Sequence, residues 1–189
     1  MIIATNNKGK LMEIKEILKE YKIYSLKDKN IEIDVLEDED TFYGNALKKA
    51  IEIFKISGEP VIADDSGLCI TALNDFPGVF THRFLGDNAT DEERNYDLIR
   101  RVNNVSDRSA KVVCNLVYYD GNSTLVGEGI LEGRIAVEPR GQNGFGFDSI
   151  FELENGKTLA ELTSEQKNML SARHLAAVDL ASKIKTYSR

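Results

Sequence analysis

Apolar residues recur along the chain at two spacings, one typical of strands and one typical of helices. Apolar runs predict buried strands at 1–4, 23–26, 31–35 and 61–63. Apolar residues three and four positions apart predict amphipathic helices at 11–18, 42–54, 91–102 and 164–185. Thr41 or Asp40 is suited to cap the second of these helices.

The second half of the chain adds a hairpin and a glycine-rich break. Alternating stretches at 111–119 and 124–137 flank Asp120-Gly121-Asn122, a sequence that favours a tight turn between antiparallel strands. Glycines at 141, 144 and 146 then interrupt regular structure before the apolar Ile150-Phe151. Strands and helices mixed in this way, without repeats or linkers, predict one α/β domain over 1–189 with a mixed, twisted sheet flanked by helices.

The most distinctive polar feature is the pair Asp64-Asp65, which directly follows the apolar run 61–63. Adjacent carboxylates repel each other unless a cation or hydrogen-bond donors lie beside them, and hard oxygen ligands suit Mg²⁺. Because successive strand residues face opposite sides, we expect one acid to be catalytic and its neighbour structural. Ser66-Gly67 are expected to form a turn at the strand end, which either offers backbone N–H groups to an anion or is a simple tight turn.

Two further polar segments lie at predicted helix starts. Thr5-Asn6-Asn7-Lys8-Gly9-Lys10 joins the first strand to the first helix, where free N–H groups and two lysines favour an anion. It lacks the spacing of a Walker A loop, and an ordinary helix cap explains it equally well. The acidic run 37–40 also has a purely structural explanation. Acids near the start of a helix compensate its dipole, which stabilises the helix by ~0.3–1 kcal/mol.

Aromatic and basic residues in the last third of the chain are candidates for binding a base. Gly144-Phe145-Gly146-Phe147-Asp148 combines two rings with a carboxylate on a flexible backbone, suited to stacking and to accepting hydrogen bonds. The alternative is a bulged strand whose rings belong to the core. On the predicted last helix Lys167 and Ser171 share a face and Arg173 lies further round, which by itself indicates a solvated surface.

Charge and composition narrow the partners. Lys plus Arg number 24 against 31 Asp plus Glu, and the resulting charge of -7 disfavours a nucleic-acid partner. No stretch has the length and apolarity of a membrane span or a targeting segment, so we expect a cytoplasmic protein. Cys69 and Cys114 are expected to be buried thiols, a disulfide being the less favoured alternative in a reducing compartment. His82 and His174 lack metal-binding spacing.

Together these segments resemble the Ham1-like inosine/xanthosine triphosphate pyrophosphatases. The motifs that carry the resemblance are, in chain order, Thr5-x-Asn7-x-x-Lys10, Glu37 ahead of Phe42-x-x-Asn45-Ala46-x-x-Lys49-Ala50, Ala63-Asp64-Asp65-Ser66-Gly67-Leu68, Pro77-Gly78-Val79, Gly144-Phe145-Gly146-Phe147-Asp148-x-Ile150-Phe151, and Thr158-x-Ala160-Glu161-Leu162 followed by Lys167. They span nearly the whole chain, and their joint occurrence is far more specific than any one of them.

The resemblance implies an elongated α/β fold of two lobes with a nucleotide cleft between them, Mg²⁺ dependence and a homodimer. It implies hydrolysis of non-standard purine nucleoside triphosphates such as ITP, dITP and XTP to monophosphate and pyrophosphate, by metal-assisted attack of water at the α-phosphorus. This activity would cleanse the nucleotide pool.

The resemblance also implies roles for individual residues. Glu37 and Asp65 would bind the metal, Asp65 would activate water and Ser66 would touch the substrate. The triphosphate would be held by Thr5, Asn6, Asn7, Lys8, Gly9 and Lys10. The base pocket would be formed by Phe145, Gly146, Phe147 and Asp148, with Lys167 and Arg173.

Base selection follows from hydrogen-bond chemistry. We hypothesise that Asp148 or a nearby backbone carbonyl accepts the N1–H of a 6-oxo purine, and that Arg173 or a backbone N–H donates to the 6-oxygen. Adenine reverses both groups, at a cost of roughly 1–3 kcal/mol for each mismatched pair. The family usually has Ser-His-Arg where this chain has Ser171-Ala172-Arg173, so the base-contacting histidine is absent.

Two alternatives remain at this point. The first is the same chemistry on a pyrimidine or another modified triphosphate, which the missing histidine favours. The second is a non-catalytic nucleotide-binding switch, since an Asp-Asp pair at a strand end also occurs in aspartyl-phosphate switches. In those switches the pair follows the first strand, whereas here the first strand leads into 5–10.

Overall fold

The computed structural model describes residues 1–86 and 88–187. Its five α-helices are α1 (Lys8–Ile17), α2 (Phe42–Ser57), α3 (Asp91–Arg101), α4 (Ser164–Leu170) and α5 (Ala172–Tyr187). Its six strands are β1 (Ile2–Ala4), β2 (Tyr24–Ser25), β3 (Val61–Ile70), β4 (Ser109–Tyr119), β5 (Thr124–Ile135) and β6 (Phe151–Glu152). None of these helices combines the length and apolar character needed to cross a membrane.

The six strands form a single sheet in the order β2-β1-β3-β4-β5-β6. β1 is parallel to both β2 and β3, whereas β6 is antiparallel to β5. Parallel and antiparallel pairs in one sheet, with helices between the strands, confirm the predicted mixed α/β class. The turn between β4 and β5 is also as predicted, because the Asp120 carboxylate accepts the N–H groups of Asn122 and Ser123.

The third strand differs from its prediction. It was expected to end near residue 63 and to turn at Ser66-Gly67, but β3 continues to Ile70 and all ten of its residues are buried. Polar side chains end a strand when they need water, and here buried partners from other elements replace the water. Asp64 and Asp65 therefore lie in the interior of a sheet strand.

Two other element predictions are wrong. The run 31–35 forms no strand: Ile31 and Ile33 pack half-buried against the core, but the segment has no hydrogen-bonded strand partner among the described residues. The predicted helix 164–185 is two helices, because Ser171 has an extended ψ of 147° and separates α4 from α5. Lys167 and Arg173 therefore do not share one helix.

The first helix begins three residues earlier than predicted. Lys8, Gly9 and Lys10 form its first turn, and the Asn7 side chain caps it by accepting the N–H groups of Gly9 and Lys10 at 2.9 and 3.1 Å. The cap of α2 is Thr41 rather than Asp40, since the Thr41 hydroxyl accepts the Gly44 N–H at 3.0 Å.

The chain divides into two compact units. Unit 1 comprises Met1–Ser66, Cys114–Gly129 and the stretch from Ala172 onwards; unit 2 comprises Gly67–Val113 and Ile130–Ser171. The core of unit 1 forms where α2 packs on the sheet, through Ile2, Ala4, Ala46, Ala50, Ile53, Val61 and Ala63. Both cysteines are buried free thiols, as expected. The single catalytic domain with two lobes stays a prediction.

Close approach of α5 to β5 within unit 1 depends on two glycines. A Cβ at Gly127 would lie 2.1 Å from the carbonyl oxygen of Ala176, and one at Gly129 would lie 1.9 Å from that of Ala172. No side chain fits these distances, so both positions require glycine. The start of α5, which carries Arg173, is thereby fixed on the sheet.

Candidate active site

Alternation along β3 sends its two aspartates to opposite faces of the sheet in unit 1. Val61 and Ala63 pack in the core under α2, and Asp65, two residues further on, accepts a hydrogen bond from Asn45 of α2 at 2.9 Å. Asp64 instead meets Lys10 of α1 and Arg173 of α5. The two acids therefore have different partners, and the expectation that one is catalytic and the other structural stays a prediction.

The carboxylate of Asp64 is enclosed by cations. Lys10 Nζ lies 3.0 Å and Arg173 Nε 3.4 Å from its Oδ2 oxygen, and the residue is 2% exposed. Burial alone would raise the pKa of Asp64, but the charges of Lys10, Arg173 and Lys49 outweigh it and hold the pKa well below its usual range. Asp64 is therefore a permanent anion.

The side chain of Arg173 contacts residues of unit 1. Besides Asp64, its guanidinium pairs with Glu13 of α1 and donates to the Ser66 hydroxyl at 3.1 Å. Glu13 was not singled out from the sequence, although it lies three residues after Lys10 on the same helical face. The contact of Arg173 with a base stays a prediction.

Asp65 has the opposite electrostatic character. Its Oδ2 accepts from Asn45, and its Oδ1 accepts the Ser66 N–H at 3.0 Å. Burial raises its pKa by more than Lys49 lowers it, and the negative charge of Glu37 raises it further, to about 6. A carboxylate with a pKa near the operating pH suits a general base.

Lys49 joins Glu37 to this region. Its Nζ donates to Glu37 Oε1 at 2.6 Å and to the backbone carbonyl of Asp64 at 2.5 Å. Burial lowers the pKa of Lys49, but Asp64, Asp65 and Glu37 raise it by more, so the ammonium stays charged. Asn45 and Lys49 received no role from the sequence; the available signal was two polar residues four positions apart on an otherwise apolar helix face.

Glu37 and Asp65 supply hard oxygen donors. In residues 1–86 and 88–187, no group of three or more His, Cys, Asp or Glu side chains is arranged to hold a metal ion. Mg²⁺ commonly binds through one or two carboxylates and completes its shell with water and substrate phosphates. Two carboxylates, one of them with a pKa raised by burial and by the charge of the other, fit an ion that binds together with a nucleotide.

The segment 5–10 combines a helix cap with an exposed polar surface. The Asn7 side chain occupies the N–H groups of Gly9 and Lys10, and the Thr5 hydroxyl accepts the Asn7 N–H at 3.2 Å. Asn6, Asn7 and Lys8 are exposed, whereas Lys10 is buried against Asp64. The cap therefore accounts for part of the segment, and exposed donors remain at the positive end of α1.

In unit 2 the glycine-rich segment meets Lys167. Asp148 is 4% exposed, and its Oδ2 accepts the Phe145 N–H at 2.8 Å and the Lys167 ammonium at 2.7 Å. The same ammonium lies 4.3 Å from the centroid of the Phe145 ring. Phe147 packs edge-on against the buried Phe151. Of the two phenylalanines in the glycine-rich segment, Phe147 is therefore the one that packs against the core.

A cavity of about 320 Å³ opens beside this segment within unit 2. Its lining includes Asn95, Tyr96, Asn143, Phe145 and Asp148. The volume falls within the range of about 300–1,000 Å³ that is usual for small-molecule sites. Aromatic, amide and carboxylate groups are therefore available to a flat heterocycle here.

Comparison with known proteins gives consistent results over the whole length. The Ham1 family model matches residues 1–183. The dITP/XTP pyrophosphatase of Clostridium tetani is 37% identical, over 99% of this chain and 96% of that protein. The dITP/XTP pyrophosphatase of Thermoanaerobacter sp. strain X514 is 44% identical, over 99% and 95%. The structure of the Staphylococcus aureus Ham1 protein superposes with a TM-score of 0.89 at 36% identity, over 100% of this chain and 98% of that one.

The raised pKa of Asp65 predicts how its replacement changes stability. The carboxyl group of Asp65 binds its proton more tightly in the folded protein than in the unfolded chain. The protonated group therefore contributes stability that is fully present below its ordinary pKa of 3.8 and is lost as pH rises through about 6. In metal-free protein at pH 8 we expect Asp65→Asn to raise the free energy of unfolding by up to about 3 kcal/mol, since each pKa unit corresponds to about 1.4 kcal/mol. Urea unfolding with a chelator present measures this.

The gain should disappear below about pH 4, where Asp65 is protonated in the folded state and the variant has no advantage. Asp179→Asn is the control, because a hydrogen bond from Lys183 lowers the pKa of the half-buried Asp179 and its replacement should not stabilise the protein at either pH. A difference in stability between Asp65→Asn and the unsubstituted protein that is the same at pH 4 and at pH 8 would contradict the assignment.

Proposed function

Because this chain belongs to the Ham1 family, we propose that it hydrolyses the non-standard purine triphosphates ITP, dITP and XTP to nucleoside monophosphate and pyrophosphate. The observation that carries the proposal is the placement of Asp64 and Asp65 on opposite faces of β3. Asp64 is paired with Lys10 and Arg173, whereas Asp65 receives hydrogen bonds from Asn45 and the Ser66 N–H and has a raised pKa in the metal-free protein.

In the proposed reaction water attacks the α-phosphorus. A bond forms between the water oxygen and phosphorus, the bond from the α-phosphorus to the bridging oxygen breaks, and pyrophosphate leaves with that oxygen. Asp65 takes the proton from the attacking water. Asn45 and the Ser66 N–H hold its two oxygens, which fixes the direction from which the proton is received.

Glu37 and Asp65 would hold the divalent cation, which we propose to be Mg²⁺. When bound, such an ion offsets the negative charge of the triphosphate and of the developing transition state. Lys49 keeps Glu37 in place through its 2.6 Å contact, and its charge limits the repulsion between the two carboxylates. Without Lys49, Glu37 and Asp65 would lose the ammonium that offsets their mutual repulsion.

We assign the triphosphate to the start of α1. Exposed Asn6, Asn7 and Lys8 lie at the positive end of this helix, together with Thr5 and Gly9. Lys10 contributes positive charge while it is held by Asp64. The Ser66 hydroxyl accepts from Arg173, so its own hydrogen can be donated to a substrate oxygen.

We assign the base to the cavity of unit 2. Phe145 offers a ring face to the base. The Lys167 ammonium lies over the same ring and is held by Asp148. Gly146 and Phe147 shape the backbone of the segment. Asp148 is a carboxylate that can accept the N1–H of hypoxanthine or xanthine. Adenine has no N1–H, so it would leave this acceptor unpaired.

Cellular setting and assembly belong to the same proposal. We propose a cytoplasmic homodimer that acts on free nucleotides and cleanses their pool, with no nucleic acid or membrane as partner. The formal charge of -7 supports the exclusion of nucleic acid.

One observation favours a second candidate substrate class. Ala172 replaces the usual histidine, is 2% exposed and has no polar side-chain atom. A site that has lost this contact could prefer another modified triphosphate or a pyrimidine triphosphate while using the same chemistry.

The activity is tested by product analysis with ITP, XTP, GTP, ATP and dUTP in the presence of Mg²⁺. We expect pyrophosphate and monophosphate from ITP or XTP. In Asp65→Asn the rate of hydrolysis should fall by about 10²–10⁴-fold, the usual effect of removing a general base. Asp179→Asn, which changes a half-buried carboxylate on α5 paired with Lys183, should keep full activity.

Each other outcome points to a different account. Activity confined to another triphosphate would favour the second substrate class. Absence of hydrolysis with every nucleotide would favour a binding module. An Asp65→Asn variant with unchanged rate would contradict the role of Asp65.

Base recognition is tested by Asp148→Asn. The amide can still accept the Phe145 N–H, but it can also donate to N1 of adenine, so the preference for ITP over ATP should fall. A loss of about 1–3 kcal/mol corresponds to roughly ten- to a hundredfold in the ratio of kcat/KM values. An unchanged ITP:ATP ratio would show that Asp148 does not read N1–H.

A further inference from the structure

Both main-chain groups of Gly146 are held by side chains of α3. The Gly146 N–H donates to Asp91 Oδ2 at 2.9 Å, and its carbonyl accepts from Asn95 Nδ2 at 2.9 Å. The Asn95 amide also donates to the Ser149 hydroxyl at 3.2 Å, so both of its hydrogens are used within one segment. All four residues belong to unit 2.

Asp91 and Asn95 are suited to act together. They lie four residues apart at the start of α3 and therefore share one face of the helix. Asn95 is 5% exposed, so its hydrogen bonds to Gly146 and Ser149 are largely shielded from competing water. A capping box between Thr90 and Glu93 fixes the first turn from which both side chains project.

The residue before Gly146 carries the ring assigned to the base. Phe145 is held by its N–H bond to Asp148 and by the ammonium of Lys167, on α4, over its ring. Those contacts tie Phe145 and Asp148 to α4, but they hold neither main-chain group of Gly146. Asp91 and Asn95 add an anchor from α3 one residue further on.

The need for an anchor follows from the glycine content. Gly144 and Gly146 have φ values of 82° and 63°, in the left-handed region, and such a segment loses much conformational freedom when it is ordered. Hydrogen bonds that order it in the free protein reduce the cost of binding a ligand. The segment is thereby ready for a base before the base arrives.

We propose that Asn95 and Asp91 are positioning residues for base recognition: by holding Gly146 they set the Phe145 ring and the Asp148 carboxylate in their binding positions. This inference rests on the proposed function, since it assigns the base of the same substrate to this segment. Neither residue touches the reacting atoms, so their loss should weaken binding of the base while the hydrolytic step continues.

The principal test is Asn95→Leu, which keeps the side-chain size and removes both donors. We expect KM for ITP to rise about tenfold or more, with kcat changed by less than about threefold, because a lost positioning contact affects ground state and transition state alike. The preference for ITP over ATP should fall as well. Asp97→Leu is the matched control, since Asp97 is also 5% exposed on α3 and pairs instead with Arg100 and Arg101 of the same helix.

A second pair of variants separates the hydrogen bond from the charge of Asp91. Asp91→Asn keeps an oxygen for the Gly146 N–H and should leave KM within about twofold, whereas Asp91→Ala removes the acceptor and should raise it. Amide hydrogen exchange gives a readout that needs no activity. Protection of the Gly146 amide should fall in Asp91→Ala and in Asn95→Leu, and it should persist in Asp97→Leu.

The inference would be overturned if Asn95→Leu and Asp97→Leu changed KM and the ITP:ATP ratio alike, because the role would then be general stability. It would also be overturned if the Gly146 amide kept its protection in both Asp91→Ala and Asn95→Leu. An unsubstituted protein that hydrolyses none of the nucleotides would contradict the proposed function, and the exchange measurement would still decide whether α3 holds this segment.

Discussion

Two neighbouring carboxylates in a buried strand of a sheet must each be compensated, and here their direct side-chain partners differ. An isolated buried charge costs several kcal/mol, and two adjacent ones also repel each other. Strand geometry separates them, since Asp64 and Asp65 point to opposite faces. The compensation then differs on each face: cations surround Asp64, whereas Asp65 receives neutral hydrogen bonds and keeps a raised pKa.

Several other features of unit 1 depend on this arrangement. Lys10 reaches Asp64 from a helix that directly follows β1. The cap at Asn7 starts this helix at Lys8, so Lys10 lies in its first turn and against Asp64. Arg173 must reach the same carboxylate from α5, which the glycines at 127 and 129 allow to lie directly on β5. Glu13 balances the additional positive charge. The stable anion at Asp64 thus leaves its neighbour as the group that can exchange a proton.

Local patterns in the sequence predicted most elements but not their ends. Helical periodicity located α2 and α3 within a few residues, and alternation located β4 and β5. The end of β3 was missed because Asp64 and Asp65 read as surface residues, and their partners come from distant parts of the chain. The run 31–35 alternates like a strand, but alternation cannot show that a neighbouring strand is absent.

The candidate site was also only partly predictable, because local patterns do not show which distant residues meet. Asp65 stood out by its charge and its place after a buried apolar run. Glu37 received its role only from the family resemblance, which named Asn45 and Lys49 as motif positions without giving them a role. Phe145 and Phe147 look equivalent in sequence, and only packing distinguishes the ring beside Lys167 from the ring against Phe151. The break at Ser171 left no clear signal, since serine is common inside and at the ends of helices.

The central claim is the division of roles between the two aspartates, and it is tested most directly by carboxyl ¹³C NMR titration of the metal-free protein. We predict one buried aspartate with a midpoint near pH 6, absent from the spectrum of Asp65→Asn, and a second, Asp64, that stays ionised throughout the range in which the protein is folded. Two aspartates that both titrate near the ordinary value, or a raised midpoint that belongs to Asp64, would contradict the account.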